Sequence, residues 1–201
     1  MWYQDDEIPS NNPFQTSIPN VTGGLIDRGN GYPHCASVPI TGPTSNVASI
    51  SGSLFQFSQI GTGRFEESMA WAWRLLSPKW QGLWGPKDYP APASANRRKI
   101  VVYLSDGRSS AYTYEMDRRD DLGRGVPSSV ALEHLVEICR EMKLGGIEIY
   151  MYQLEGGEAV TPYFKECASS DDHYVFINDD NEFATAFAAL ETKTQDIRLI
   201  R

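Results

Sequence analysis

One short segment constrains the fold of this 201-residue chain more than any other feature. Residues 99–104, Lys-Ile-Val-Val-Tyr-Leu, form an apolar run behind a single lysine, and Ser105-Asp106-Gly107 follows directly. A continuous apolar run of this length is typical of a strand in a parallel sheet whose two faces are both covered by helices. The segment therefore predicts an α/β protein.

The elements around this strand alternate as an open parallel sheet requires. The predicted elements, in chain order, are a helix from a Thr44 or Ser45 cap to about Ile60, a helix from Glu66 to Leu76, the strand at 99–104, a helix from Ser128 or Ser129 to Leu144, a strand from Ile147 to Leu154, a helix near Pro162–Cys167, a strand from Tyr174 to Ile177, and a helix from a cap near Asp180 to about Thr192. Right-handed crossovers then give an open, mainly parallel sheet with helices on both faces. The strands at 99–104 and 147–154 are expected to be parallel neighbours.

Composition divides the chain in two. Residues 1–40 are rich in Pro, Asn and Gly with no apolar periodicity, and they are interpreted either as an irregular arm or as loops packed on the surface. Residues 41–201 are expected to form one domain. The acidic N-terminus and the lack of a long apolar window predict no signal peptide and no membrane-spanning segment in this sequence.

Charge excludes one class of partner. The chain carries 18 Lys and Arg against 26 Asp and Glu, for a formal net charge of −8. A surface of this sign repels phosphate backbones and anionic lipid. Nucleic acid is therefore not expected as a partner.

The best candidate for a ligand site is the end of the strand at 99–104. In open parallel sheets ligands bind outside the carboxyl ends of the strands, where Ser105 and Asp106 lie, and an unusually long loop, from Gly107 to Val126, follows them. The other interpretation is an aspartate that caps its own turn.

Catalysis is ranked below binding. The sequence has no Gly-x-Ser-x-Gly elbow and no phosphate-binding glycine loop after a strand. Its histidines, His34, His134 and His173, fall in a Gly/Pro loop, on a helix and before a short strand. A hydrolase with its site near Asp106 stays open as the less favoured alternative.

The segment between Pro78 and Ala95 combines four prolines with two tryptophans, Trp80 and Trp84. A loop of this composition is either a packed lid or a contact surface. On the second interpretation Trp80 and Trp84 are the candidate contacts for a protein partner.

Four segments, at 68–78, 99–107, 146–150 and 166–170, together with Tyr174 and a closing Phe183/Phe187 helix, carry a family resemblance. The most specific is Ser-Met-Ala-Trp-Ala-Trp-Arg-Leu-Leu-Ser-Pro at 68–78. In order, they resemble the later half of the von Willebrand factor A-type domain of TadG-like Flp pilus assembly proteins, over roughly Val38 to Arg201. The resemblance implies a protein-binding module of the bacterial periplasm or cell envelope, rather than an enzyme.

The same resemblance implies a degenerate metal site. The family's adhesion site holds Mg²⁺ with an Asp-x-Ser-x-Ser loop, a threonine and an aspartate. Here the Asp-x-Ser-x-Ser loop is absent, the threonine position falls at Gly63 with Thr62 as a substitute, and only Asp106, beside Ser105, matches. Because Mg²⁺ needs near-octahedral oxygen coordination, it is expected to bind weakly or not at all.

Three cysteines, Cys35, Cys139 and Cys167, show no zinc-binding spacing and leave one pair plus one thiol, or three free thiols, open. The resemblance places cysteines at 139 and 167, on helices that can lie against one region of the sheet, so a Cys139–Cys167 disulfide is predicted.

A structural subunit is a further hypothesis. If the central strand of the domain is missing, the strand at 99–104 would present an unpaired apolar edge, and a partner chain would complete the sheet.

Overall fold

The computed structural model describes residues 40–56, 65–85, 87–94, 96–107, 128–155 and 160–194. The elements are helices α1 (Val47–Leu54) and α2 (Phe65–Leu76), strand β1 (Lys99–Ser105), helix α3 (Ser128–Leu144), strand β2 (Ile147–Leu154), helix α4 (Thr161–Cys167), strand β3 (Tyr174–Ile177) and helix α5 (Asp180–Thr194), with 3₁₀ turns at Pro78–Trp80 and Asp171–His173. The predicted arm at 1–40, apart from Ile40, and the loop after Gly107 lie outside the described residues, as do Thr62 and Cys35.

The three strands form one parallel sheet in the order β1-β2-β3. Lys99 pairs with Ile147 and Ser105 with Gln153, so β1 and β2 are aligned along the whole of β1. This confirms the predicted parallel neighbours and the crossover through α3. Gly146, with a φ of 76°, ends that crossover helix in the left-handed conformation that glycine adopts without strain.

Successive strand residues point to opposite faces, and each face has its own core. On one face, here called the α3 face, Val101, Ile149 and Met151 pack against α2, α3 and α4. On the other, the α5 face, Tyr150 and Tyr152 pack against α5. The protein therefore has the expected fold class, an open parallel α/β sheet with helices on both faces.

Helix α1 differs from its prediction at both ends and in its packing, since it ends at Leu54, with Phe55 as its C-cap, rather than near Ile60. Its cap is Asn46 rather than Thr44 or Ser45, since the Asn46 Oδ1 accepts hydrogen bonds from the backbone N–H groups of Ala48 and Ser49 at 3.0 and 3.2 Å. Thr44 instead accepts from the N–H of Asn46. None of its residues is buried. The sequence spaces Val47, Ile50 and Leu54 as an apolar stripe, yet these side chains are 72%, 42% and 64% exposed, so the stripe faces outward rather than into the core.

Candidate functional site

The carboxyl end of β1 brings together two of the three predicted ligand residues, Ser105 and Asp106. The backbone N–H of Gly107 donates a 3.2 Å hydrogen bond to Ser105 Oγ, and Gly107 has a φ of 67°. The Ser105 hydroxyl therefore caps this turn. Within the part of the chain that the structure describes, no three His, Cys, Asp or Glu side chains are grouped as metal ligands.

A second feature of β1 is its position in the sheet. Among the described residues β1 pairs only with β2, so its other edge meets no described strand. Helix α5 packs over β2 and β3, which leaves Val102 and Leu104 on the α5 face 40% and 44% exposed. A strand with the sequence of a central strand therefore lies at the edge of the sheet that the described residues form.

Helix α2 lies along β1 on the α3 face and runs antiparallel to it. At one end the hydroxyls of Ser68 and Tyr103 are hydrogen-bonded at 2.7 Å, and at the other Lys99 Nζ donates to the Leu76 carbonyl at 2.6 Å. Ala72 lies midway on the same stripe of the helix. Burial raises the pKa of Tyr103 to about 12, so its phenol is neutral at physiological pH.

Ser68 and Ala72 of α2, on the α3 face, and Val102 and Leu104 of β1, on the α5 face, flank the edge of β1 that meets no described strand, and this set is here called the open side. None of these four side chains is charged, and Lys99 is buried with its ammonium held by Leu76. Sequence reasoning missed the contribution of α2, because the contact between Ser68 and Tyr103 joins residues 35 positions apart. The one sequence feature that could have indicated this contact is Tyr103, whose hydroxyl stands in an otherwise apolar run.

The two tryptophans predicted as partner contacts lie in an aromatic cluster. Trp80 is 1% exposed, stacks on Trp84 at 5.5 Å between ring centroids, and meets Trp71 edge-on at 6.1 Å. A ring this buried has no surface to offer a partner, so Trp80 is a packing residue, contrary to the contact interpretation. It reaches the cluster because Ser77 caps the 3₁₀ turn that directs Trp80 inward.

Trp84 remains partly exposed, and its indole N–H donates to the Arg74 carbonyl at 3.1 Å. The Arg74 guanidinium lies 5.0 Å from the centre of the Trp71 ring, a cation–π distance. This loop is therefore a lid packed on the end of α2.

The predicted disulfide is present. Cys139 on α3 and Cys167 at the end of α4 are bonded, and both are fully buried on the α3 face. The pair holds α4 against α3 beside the sheet.

Two of the three histidines, His134 and His173, lie within the described residues, and their surroundings differ. His134 is half-buried on α3, and the ring of His173 lies 4.0 Å from the ring of Tyr150. Burial, and then the nearby Lys193, lower the pKa of His173. Beside it Glu148 accepts two hydrogen bonds from Arg98, at 2.8 and 2.6 Å, and these lower the pKa of Glu148.

Comparison with known proteins finds no matching family model and no matching curated protein. Among solved structures, proximal thread matrix protein 1 from the mussel byssus is similar to this chain at 14% identity, with a TM-score of 0.48 over 77% of the chain. The chain spans about a third of the length of that structure, 33%. Within the described residues, no helix is both long and apolar enough to cross a bilayer.

Proposed function

We propose that this protein is a non-enzymatic protein-binding module that assembles with another polypeptide through its open side. One observation carries the proposal: β1 is apolar on both faces yet lies at the edge of the described sheet, with Val102 and Leu104 exposed. Parallel strands of this composition are normally interior strands, with helices on both faces.

From Ile100 onward, β1 lacks the charged residues and prolines that keep sheet edges apart, and the lysine at the start of the strand, Lys99, is buried. Natural edge strands are protected by charged residues, proline or a bulge. From Ile100 to Ser105 there is no charged residue and no proline, and β1 pairs with β2 without interruption. Such an edge favours the addition of a strand from a partner.

The apolar side chains would add to the backbone pairing. Full burial of an exposed valine or leucine contributes about 1.5–3 kcal/mol, so covering the half-exposed Val102 and Leu104 contributes roughly 1 kcal/mol each. These two side chains would be the anchors of the interface.

The setting of this assembly is part of the proposal. The resemblance to TadG-like proteins implies a bacterial pilus or envelope system, and the buried Cys139–Cys167 disulfide fits an oxidising compartment such as the periplasm. In this proposal the partner binds at the open side and needs no metal ion. The end of β1 near Asp106 is then a degenerate adhesion site, which takes no part in binding.

A structural subunit that is unstable without its partner is the second candidate, and the same open edge favours it. The two candidates differ in the behaviour of the purified chain. A binding module unfolds cooperatively on its own, whereas an obligate subunit is folded and soluble only after co-expression with its partner.

The experiment uses a photo-reactive phenylalanine at Leu104 and, as a matched control, at Leu144, an apolar residue 76% exposed at the end of α3. We expect a covalent adduct in cells from position 104 and none from position 144. The captured protein is then purified and titrated with the chain and with its Val102→Lys and Leu144→Lys variants.

The expected result is a loss of affinity of tenfold or more for Val102→Lys and no loss for Leu144→Lys. Equal adducts from both positions, no adduct from either, or unchanged affinity of Val102→Lys would refute the proposal.

A further inference from the structure

We infer that the polypeptide that covers the open side is a second copy of this chain, with the two β1 strands antiparallel about a two-fold axis at Val102. The inference rests on the proposed function, because it names the partner of the same surface. Three observations support it: the residue order of β1, the lack of charge on the open side and the size of the resulting sheet.

The residue order of β1 is self-complementary in this register. Val102 lies opposite Val102 of the second copy, and Ile100 lies opposite Leu104. These side chains are all on the α5 face, where directly opposite residues have Cβ atoms about 4.5–5.5 Å apart. The dimer therefore forms a row of six apolar side chains from residues that each monomer leaves partly or largely exposed.

Antiparallel pairing is what a closed dimer of this kind requires. A two-fold axis perpendicular to the sheet reverses the strand direction and makes both contacts identical. Parallel pairing of two β1 strands is not related by such an axis. The axis also keeps the α3 faces of both copies on one side of the joined sheet.

Charge favours self-association at this surface and opposes it elsewhere. Each chain carries a net charge of −8, so two copies repel one another except where the contact is uncharged, as the open side is.

The two-fold axis makes the two α2 helices antiparallel, the favourable arrangement for their dipoles. Ser68 and Ala72, both small, then let α2 of each copy approach α2 of the other on the α3 face.

The joined sheet has an ordinary size. The three described strands of each copy give a continuous sheet of six, within the most common range of about 4–6 strands. In that sheet β1 becomes an interior strand, which agrees with its apolar sequence.

The test is disulfide trapping in a Cys35→Ser background, which leaves the buried Cys139–Cys167 pair intact. Directly opposite residues in an antiparallel pair have Cα atoms about 4.5–5.5 Å apart, within the range that a disulfide spans. We expect Val102→Cys to form a cross-linked dimer on mild oxidation. Ile100→Cys alone is not expected to cross-link, whereas Ile100→Cys mixed with Leu104→Cys is.

Leu144→Cys is the exposed control for random collision. Light scattering on the unmodified chain is expected to give a mass of two 22.5 kDa chains, and on Val102→Lys the mass of one. Should a cysteine variant fail to fold, hydrogen exchange on the unmodified chain replaces it, with β1 amides expected to gain protection as protein concentration rises.

The inference is wrong if the unmodified chain is monomeric at every concentration, if its β1 protection does not depend on concentration, or if Val102→Cys cross-links no faster than Leu144→Cys. It is also wrong if Ile100→Cys cross-links with itself, which indicates an in-register parallel contact. A monomer whose Leu104 photo-probe labels a different protein overturns the second copy and supports the proposed function. A monomer with no adduct overturns both.

Discussion

Cys139 and Cys167 lie with their Cα atoms 5.1 Å apart, joined by a disulfide among fully buried apolar side chains. The bond closes a loop with a sequence separation of 28 that contains β2, the central strand of the described sheet. It therefore restricts the unfolded chain around the segment that contributes to both cores.

Removal of this disulfide should destabilise the protein. We expect the paired substitution Cys139→Ala and Cys167→Ala to lower the free energy of unfolding by about 3.5 kcal/mol, from the chain entropy of a loop of this length. Urea denaturation of the oxidised proteins measures the difference, with Cys35→Ser as the thiol control. A loss no larger than that of Cys35→Ser would contradict this account of the bond.

The aromatic cluster should respond unequally to truncation. Trp80 is 1% exposed between Trp71 and Trp84, so Trp80→Ala is expected to lower the free energy of unfolding by about 3–5 kcal/mol. Trp84→Ala should lower the free energy of unfolding by less, because that ring is already partly exposed. Guanidinium denaturation of both variants decides the point, and a larger loss for Trp84→Ala would show that the lid, rather than the buried ring, holds the cluster together.

Alkaline pH should weaken the fold through Tyr103. The pKa of its phenol is about 10 in the unfolded chain and about 12 in the folded one, because burial raises it by more than the hydrogen bond with Ser68 lowers it. The unfolded state therefore loses its proton first, and the stability is present below pH 10 and is lost as pH rises toward 12. Tyr103→Phe should flatten this fall, as followed by urea midpoints at successive pH values. An unchanged slope would place the titrating group elsewhere.

Mild acid should weaken the fold through His173. The folded pKa is below the ordinary value of about 6.5, mainly because of burial, so the unfolded chain takes up the proton first. Stability is full above pH 6.5 and declines as pH falls below it. His173→Gln should remove the decline, and Lys193→Gln, which deletes a nearby positive charge, should reduce it. Thermal melts between neutral and mildly acidic pH provide the measurement, and an identical decline in His173→Gln would rule the histidine out.

Magnesium should have little effect on the protein. With Asp106 as the one matching ligand of the family site, we expect the melting temperature to be the same with and without Mg²⁺ in the unmodified chain and in Asp106→Ala. Calorimetry that shows micromolar Mg²⁺ affinity, abolished by Asp106→Ala, would restore an adhesion-type metal site.

Most element boundaries could be predicted because they depend on neighbours in the chain. The run at 99–104, the strand at Tyr174–Ile177 and the end of α3 at Gly145-Gly146 are all determined by local periodicity and by a glycine in the helix-ending position. The parallel pairing of β1 with β2 then follows from the crossover rule.

The surroundings of these elements depend on contacts between residues far apart in sequence, which periodicity does not report. Only the tertiary structure places Trp80 inside the cluster, turns the stripe of α1 outward and sets Ser68 beside Tyr103. The sequence by itself determined that β1 is apolar on both faces. The tertiary structure decided that β1 lies at the edge of the described sheet, because burial depends on which elements the folded chain brings to that edge.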